Sequence, residues 1–162
     1  YLIQNYREAY GIYAVNGIMF NNESPRRSEN FVTRKITKQA AEISRGKREY
    51  ILLGNIEAKR DWGFSREYME AAWLMLQQPQ PKDYVIATGE VHSVREWLEE
   101  SFKELGLDPY RYYKQDARFM RPSDIPEVRG DASLIKKELG WEAKTKFHDL
   151  VKLMVKTDLE SV

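Results

Sequence analysis

Tyr84-Val85-Ile86-Ala87-Thr88 leads through Gly89-Glu90-Val91-His92 into Ser93-Val94-Arg95-Glu96-Trp97-Leu98. The first five residues are apolar and rich in strand formers, and Gly89 stops them. Ser93 followed three residues later by Glu96 is a capping box, so a helix begins there. Val94, Trp97, Leu98, Phe102 and Leu105 recur at helical spacing, which predicts a buried stripe ending at Gly106. A buried strand feeding directly into an amphipathic helix is the unit of an α/β protein.

The same alternation extends in both directions. Toward the N-terminus, Ser65 to Gln78 reads as a helix with Met69, Ala72, Trp73 and Leu76 facing the core, closed by Pro79 and Pro81. Tyr50 to Leu53 reads as a short strand, and Phe31 to Arg45 as a helix with Val32, Ile36, Ala40 and Ile43 inward and Gly46 after it. Asn21 to Asn30 reads as a polar loop because of Pro25 and its Asn and Ser residues. Ile12 to Phe20 is an apolar strand. Leu2, Ile3, Tyr6 and Tyr10 share one face of an opening helix stopped by Gly11. Toward the C-terminus, Tyr110 to Tyr113 reads as a short strand. Asp131 is placed to cap a helix ending at Leu139-Gly140. A last helix from Lys146 buries Phe147, Leu150, Val151, Met154 and Val155.

The expected class is therefore α/β, with about four short strands, fewer than a self-sufficient sheet normally carries. The opening helix has no capping residue, which fits either a frayed start or chain that precedes Tyr1. No repeat, linker or composition shift marks a domain boundary.

Composition narrows the function. With no Cys in 162 residues, thiolate metal sites and disulfide scaffolds are excluded, and two His at unrelated positions argue against a His-rich zinc site. A formal net charge of +1 argues against nucleic-acid partners. No apolar run reaches membrane-spanning length and no signal peptide is visible, so a soluble cytoplasmic protein is expected. No Gly-x-Gly-x-x-Gly, P-loop or Gly-x-Ser-x-Gly motif occurs.

The polar clusters lie after strands, where open α/β sheets bind ligands. Asn21 to Arg27 offers two Arg beside Asn and Ser, suited to a phosphate, a subunit contact or plain solvation. Thr33-Arg34-Lys35 puts cations at a helix N-terminus, which an anion would relieve, unless both side chains simply splay into water. In Lys59-Arg60-Asp61-Trp62-Gly63, Arg60 either reaches a pyrophosphate or pairs with Asp61, and Trp62 packs in the core. In Arg121-Pro122-Ser123-Asp124, Arg121 suits a phosphate and Asp124 a ribose diol, or the two form a surface ion pair. His92 reads as a hydrogen-bonding residue, and Glu23 as a loop carboxylate with no obvious partner. Trp62, Trp73, Trp97 and Trp141 read as core.

These clusters together resemble a known family. The stretches Ala14-Val15-Asn16-Gly17-Ile18-Met19-Phe20-Asn21, Glu23-Ser24-Pro25-Arg26-Arg27 and Phe31-Val32-Thr33-Arg34-Lys35-Ile36 are similar to the GDP-mannose 4,6-dehydratases. So are Leu53-Gly54-Asn55, Ala58 to Gly63, Tyr84 to Glu96, Arg121-Pro122, Gly130-Asp131 and Leu139-Gly140-Trp141. These enzymes are extended short-chain dehydrogenase/reductases with an NADP-binding Rossmann domain and a smaller sugar-nucleotide-binding domain.

The resemblance implies the conversion of GDP-mannose to GDP-4-keto-6-deoxymannose, with NADP recycled in each turnover. Asn21, Val32 and Lys35 match sugar-nucleotide contacts, and Arg60 and Arg121 match the pyrophosphate-binding Arg pair. Asp124 stands where the family usually has a ribose-binding Glu. Arg27 matches a cofactor contact, and Asn22 stands where relatives often carry a cofactor-contacting His. The family's glycine fingerprint and its catalytic Thr, Glu and Tyr-x-x-x-Lys lie before the segment matching Tyr1, so no catalytic residue is assigned. Residues 1–162 are thus expected to be the C-terminal part of such an enzyme, its last Rossmann elements interleaved with the sugar-nucleotide-binding domain. A homo-oligomer, dimer or tetramer, is also implied. A GDP-6-deoxy-4-ketomannose reductase, another nucleotide-sugar epimerase or dehydratase, and a non-catalytic binding fragment remain the alternatives.

Overall fold

The computed structural model describes residues 1–120, 123 and 125–162. Among the described residues, helices alternate with strands of only two or three residues. The first half runs α1 (Leu2–Tyr10), β1 (Gly17–Met19), β2 (Asn21–Glu23), α2 (Val32–Ser44), β3 (Ile51–Leu53), β4 (Lys59–Arg60) and β5 (Trp62–Phe64). The second runs α3 (Ser65–Leu76), β6 (Tyr84–Ile86), β7 (His92–Ser93), α4 (Val94–Lys103), β8 (Tyr113–Gln115), β9 (Glu127–Val128), α5 (Ser133–Leu139) and α6 (Phe147–Ser161).

Pairing is almost wholly parallel. β1 lies beside β6, β2 beside β5 and β3 beside β8, while β4 sits between antiparallel β7 and parallel β9. Parallel neighbours need crossover connections, and the helices supply them.

Two cores result. One packs α2, α4 and α6 through Ile36, Trp97, Phe102, Leu150 and Met154, all fully buried. The other packs α3 and α5 on β6 through Tyr68, Met75, Ile86, Ile135 and Trp141. The rings of Tyr68 and Trp141 meet edge to face at 5.9 Å.

The expected capping box forms. Ser93 Oγ accepts from the Glu96 amide at 3.1 Å, and Glu96 Oε2 accepts from the Ser93 amide at 2.6 Å. The buried stripe of α6 is the expected one, with Asp158 added. Asp131 Oδ1 accepts from the Ser133 amide at 2.9 Å, although α5 begins at Ser133 with Ala132 as its cap residue.

Four expectations are corrected. Asn21 to Glu23 is a strand, because pairing with Trp62 to Phe64 satisfies a backbone that its polar side chains alone would leave irregular. The strand expected over Tyr110 to Tyr113 is a 3₁₀ turn, Pro109–Arg111, capped by Asp108, and β8 starts only at Tyr113. On α3 the buried face is Tyr68, Ala71 and Met75, whereas Met69, Trp73 and Leu76 point outward. Apart from the sector of Arg66, Glu67 and Glu70 that helix is apolar over a wide arc, so periodicity alone does not choose the face. The Tyr68, Ala71 and Met75 face is the one packed in the core. Trp73 is accordingly 61% exposed and not part of the core, unlike Trp62, Trp97 and Trp141.

Candidate functional site

The chain from β4 to β5 is extended, so Arg60 and Asp61 project to opposite sides. They do not pair with each other. Asp61 is fully buried at a junction of three segments. Its Oδ1 accepts from the Thr88 amide at 2.9 Å and from Thr88 Oγ1 at 2.6 Å. Its Oδ2 accepts from the amides of Gly89 at 2.9 Å and Gly130 at 3.2 Å. One carboxylate thereby fastens the loop after β6 and the chain after β9 to the end of β4. The fit is close: a Cβ on Gly130 would stand 2.1 Å from Ala87 Cβ.

Arg60 turns to the other side. Its Nη1 donates to the carbonyls of Lys59 and Ile125, each at 2.7 Å. The residue thus grips the C-terminal flank of the segment between Phe119 and Ile125.

Lys35 grips the other flank. Its Nζ donates to the Leu52 carbonyl at 2.6 Å and stands 3.7 Å above the Phe119 ring. Phe119 is fixed in turn by Gly54, since a Cβ there would meet the Phe119 carbonyl oxygen at 2.1 Å. Beside Lys35 opens a cavity of about 470 Å³ lined by Gln39, Lys47, Arg48, Tyr50 and Phe119 among others. Burial pulls the Lys35 ammonium below the ordinary lysine range. Neighbouring Arg48 adds to the shift and Asp116 opposes it. The cavity lining sets the cations Lys35, Lys47 and Arg48 beside Glu49 and the rings of Tyr50 and Phe119.

The rest of the α2 N-terminus is not a solvated face. Arg34 Nε donates to both carboxylate oxygens of the buried Asp158, at 2.8 and 3.0 Å. Thr37 Oγ1 donates to the same group at 2.7 Å. Arg34 also donates to the carbonyls of Pro25 and of Arg27, so it ties the loop after β2 to α6. Thr33 Oγ1 donates to Glu23 Oε2 at 2.7 Å.

Of the residues singled out in the sequence, Val32 and Lys35 lie on the first turns of α2, the former half-buried. Asn21 and Asn22 lie on β2 beside β5, and Asn22 Oδ1 accepts from Ser65 Oγ at 3.1 Å. Arg27 lies in the loop after β2, its guanidinium 3.5 Å from the Phe31 ring centroid. Arg121 and Asp124 lie outside the described residues. Lys35 and Arg60 therefore act on two ends of one segment, while Asn22 and Arg27 belong to a second group around β2. His92 stacks on Phe147 with centroids 3.8 Å apart and bonds Glu96 through Nδ1, a packing role.

Sequence reasoning missed Asp61, Asp158 and Phe119, and it left Glu23 without its partners Thr33 and Arg27. No local signal marked Asp61 as buried, since Lys59 and Arg60 directly precede it and suggest an exposed polar stretch. Among the described residues no group of His, Asp or Glu could hold a metal ion, and no helix is long and apolar enough to cross a membrane.

A family model described as GDP-mannose 4,6 dehydratase matches residues 1–154. GDP-mannose 4,6 dehydratase 1 of Arabidopsis thaliana is 55% identical over 156 residues, covering 96% of this chain and 43% of that protein. The GDP-mannose 4,6 dehydratase of Homo sapiens is 45% identical, covering 99% of this chain and 48% of that protein. The chain spans about half the length of the curated relatives it matches.

Among solved structures, RMD from Pseudomonas aeruginosa complexed with NADPH is similar with a TM-score of 0.90 at 19% identity. The match covers 99% of this chain and 53% of that one. A dTDP-glucose 4,6-dehydratase from Streptomyces venezuelae, with NAD and TYD bound, gives 0.84 at 20% identity over 98% of this chain and 48% of that one. At such identities the likeness is one of fold: α/β, as in the C-terminal part of a Rossmann-type extended short-chain dehydrogenase/reductase.

Proposed function

The chain belongs to the GDP-mannose 4,6-dehydratase family, and from that membership we propose that it is the sugar-nucleotide-binding part of such a dehydratase. The whole enzyme takes GDP-mannose to GDP-4-keto-6-deoxymannose, eliminating one water. Bound NADP would supply a hydride acceptor that is regenerated within each turnover, C4 of the sugar being the hydride's origin and C6 its destination.

In this reading α1, β1, β6, α3 and α5 are the last Rossmann elements. α2, α4, α6 and the strands among them form the substrate part. Lys35, Val32 and Asn21 hold the nucleotide sugar. Arg60 and Arg121 bind the pyrophosphate through charge-assisted bonds, and Asp124 binds the ribose. The observation that carries the reading is the double grip on one segment: Lys35 at Phe119 and Arg60 at Ile125.

The cofactor fits this chain only at its outer edge. The 162 residues contain no Gly-x-Gly-x-x-Gly turn, whereas Arg27 offers a guanidinium braced by Phe31 and Glu23, suited to a phosphate oxygen. Asn22 and Arg27 are its proposed NADP contacts. The reactive Thr, Glu and Tyr-x-x-x-Lys groups come from a portion outside these 162 residues. A cytoplasmic homo-oligomer completes the reading.

The test is to incubate the intact protein with GDP-mannose and a catalytic amount of NADP⁺. Conversion to the 4-keto-6-deoxy product without added reductant supports the proposal. Unchanged GDP-mannose, or a product epimerised without loss of water, overturns it.

A further inference from the structure

Glu23 was the polar residue with no evident purpose in the sequence, and its surroundings supply one. It ends β2 and is 1% exposed. Its Oε2 accepts from Thr33 Oγ1 at 2.7 Å and lies 3.3 Å from Arg27 Nε, within ion-pair distance. The Arg27 guanidinium rests on the Phe31 ring at 3.5 Å. The Arg27 amide donates to the Ser24 carbonyl at 2.9 Å, and the Arg27 carbonyl accepts from Arg34 Nη1 at 3.3 Å. Arg34 is anchored by Asp158. The Phe31 ring stacks on the guanidinium and the carboxylate faces its Nε as an ion pair without a hydrogen bond, while backbone contacts hold the Arg27 main chain and a quarter of the side chain stays accessible.

We infer that Glu23 is a positioning residue for cofactor binding, holding the Arg27 guanidinium from its inner side so that its outer nitrogens meet a phosphate of NADP. The inference rests on the reading of Arg27 as a cofactor contact. It goes further, because it gives a role to a residue that never touches the ligand.

Cost supports it. Burial pushes the Glu23 carboxyl above the ordinary carboxylate range, against the pull of Thr33 and Arg27. Burying that charge carries a desolvation penalty that a Gln of the same shape would avoid while still accepting the Thr33 bond, although Gln would leave Arg27 without its counter-charge. An expensive charge facing an arginine is explained if the arginine must be aimed. Aiming removes the orientational freedom that an arginine otherwise loses on binding an anion.

The experiment is a fluorescence titration of NADPH into the intact protein, with thermal melts alongside. Arg27→Ala should weaken NADPH binding by about tenfold or more, the range of a charge-assisted bond. Glu23→Gln should weaken it several-fold while the melts still show a folded protein, and should add nothing in the Arg27→Ala background. If Glu23→Gln fails to fold, Thr33→Val, which removes the anchor and keeps both charges, should give the same background-dependent loss.

Binding that weakens for Arg27→Ala and stays at parental strength for the Glu23 or Thr33 variant overturns the positioning role alone. So does a Glu23 effect that persists without Arg27. Parental binding by Arg27→Ala overturns the cofactor reading of Arg27 itself.

Discussion

Replacing Asp61 with Ala tests the junction that holds the two halves of the chain in register. The carboxylate is buried and accepts from three backbone amides, at Thr88, Gly89 and Gly130, and from the Thr88 hydroxyl. Each buried amide left without an acceptor costs roughly 1–3 kcal/mol. Relaxation and water entry reduce the sum, so a loss of about 3–6 kcal/mol is expected. Against the roughly 5–15 kcal/mol that keeps a domain folded, that is a large share. At about 2–4 °C per kcal/mol for a chain of this size, Tm should fall by on the order of 10 °C or more. Asp61→Asn should lie between, because it preserves the Thr88 bonds and turns an N–H₂ group toward the amides of Gly89 and Gly130. Urea unfolding followed by tryptophan fluorescence and by far-ultraviolet circular dichroism gives the comparison, with buried Trp62 next to the mutated site. An Asp61→Ala protein within about 1 kcal/mol of the parent would refute the reasoning, since three orphaned amides exceed that cost even at the low end.

Other outcomes follow from the same contacts. Asp158→Ala strands Arg34 beside α6 and should cost about 3–5 kcal/mol by urea unfolding, the range for breaking a buried pair; a change below about 1 kcal/mol would mean that Arg34 finds another partner. Trp97→Ala should cost about 3–5 kcal/mol as a core truncation, whereas Trp73→Ala should cost well under half of that. Equal losses would put Trp73 back in the core. Asp83 is held down to about 2 by its bond to Arg7, with the side chain and amide of Asn16 helping and burial opposing. A depressed carboxyl stabilises the fold above its unfolded value of about 4 and loses that contribution as pH falls toward the folded value. Asp83→Asn should therefore flatten the stability profile between pH 4 and 2, and a profile that keeps its slope there would show that other carboxylates set it.

Local signals carried much of the fold. Ser93 and Glu96 announced α4 because a capping box is made within four residues, and α6 announced its buried face because only one stripe of it is apolar. Where two answers were locally equal, tertiary packing chose. α3 offers Met69-Trp73-Leu76 and Tyr68-Ala71-Met75 as rival stripes, and the sheet takes the second. β2 is Asn-Asn-Glu, a strand only because β5 lies alongside it.

The site was less legible for a related reason. Asp158 meets Arg34 across 124 positions and Asp61 meets Gly130 across 69, with no periodicity linking them. The anchors of Lys35 and Arg60 are the carbonyls of Leu52 and Ile125. Every residue carries a carbonyl, so side-chain pattern says nothing about which one is used. Local charge singled those two residues out and the resemblance gave them roles, and the structure adds their contacts with Phe119 and Ile125.

The central claim is that this chain serves an enzyme moving a hydride within one sugar, from C4 to C6, while water leaves. GDP-mannose carrying deuterium at C4, incubated with the intact protein and catalytic NADP⁺, tests it most directly by nuclear magnetic resonance of the product. Deuterium in the C6 methyl group of a 4-keto product is the predicted result. A 4-keto product with an unlabelled methyl group, or no 4-keto product at all, would contradict the account.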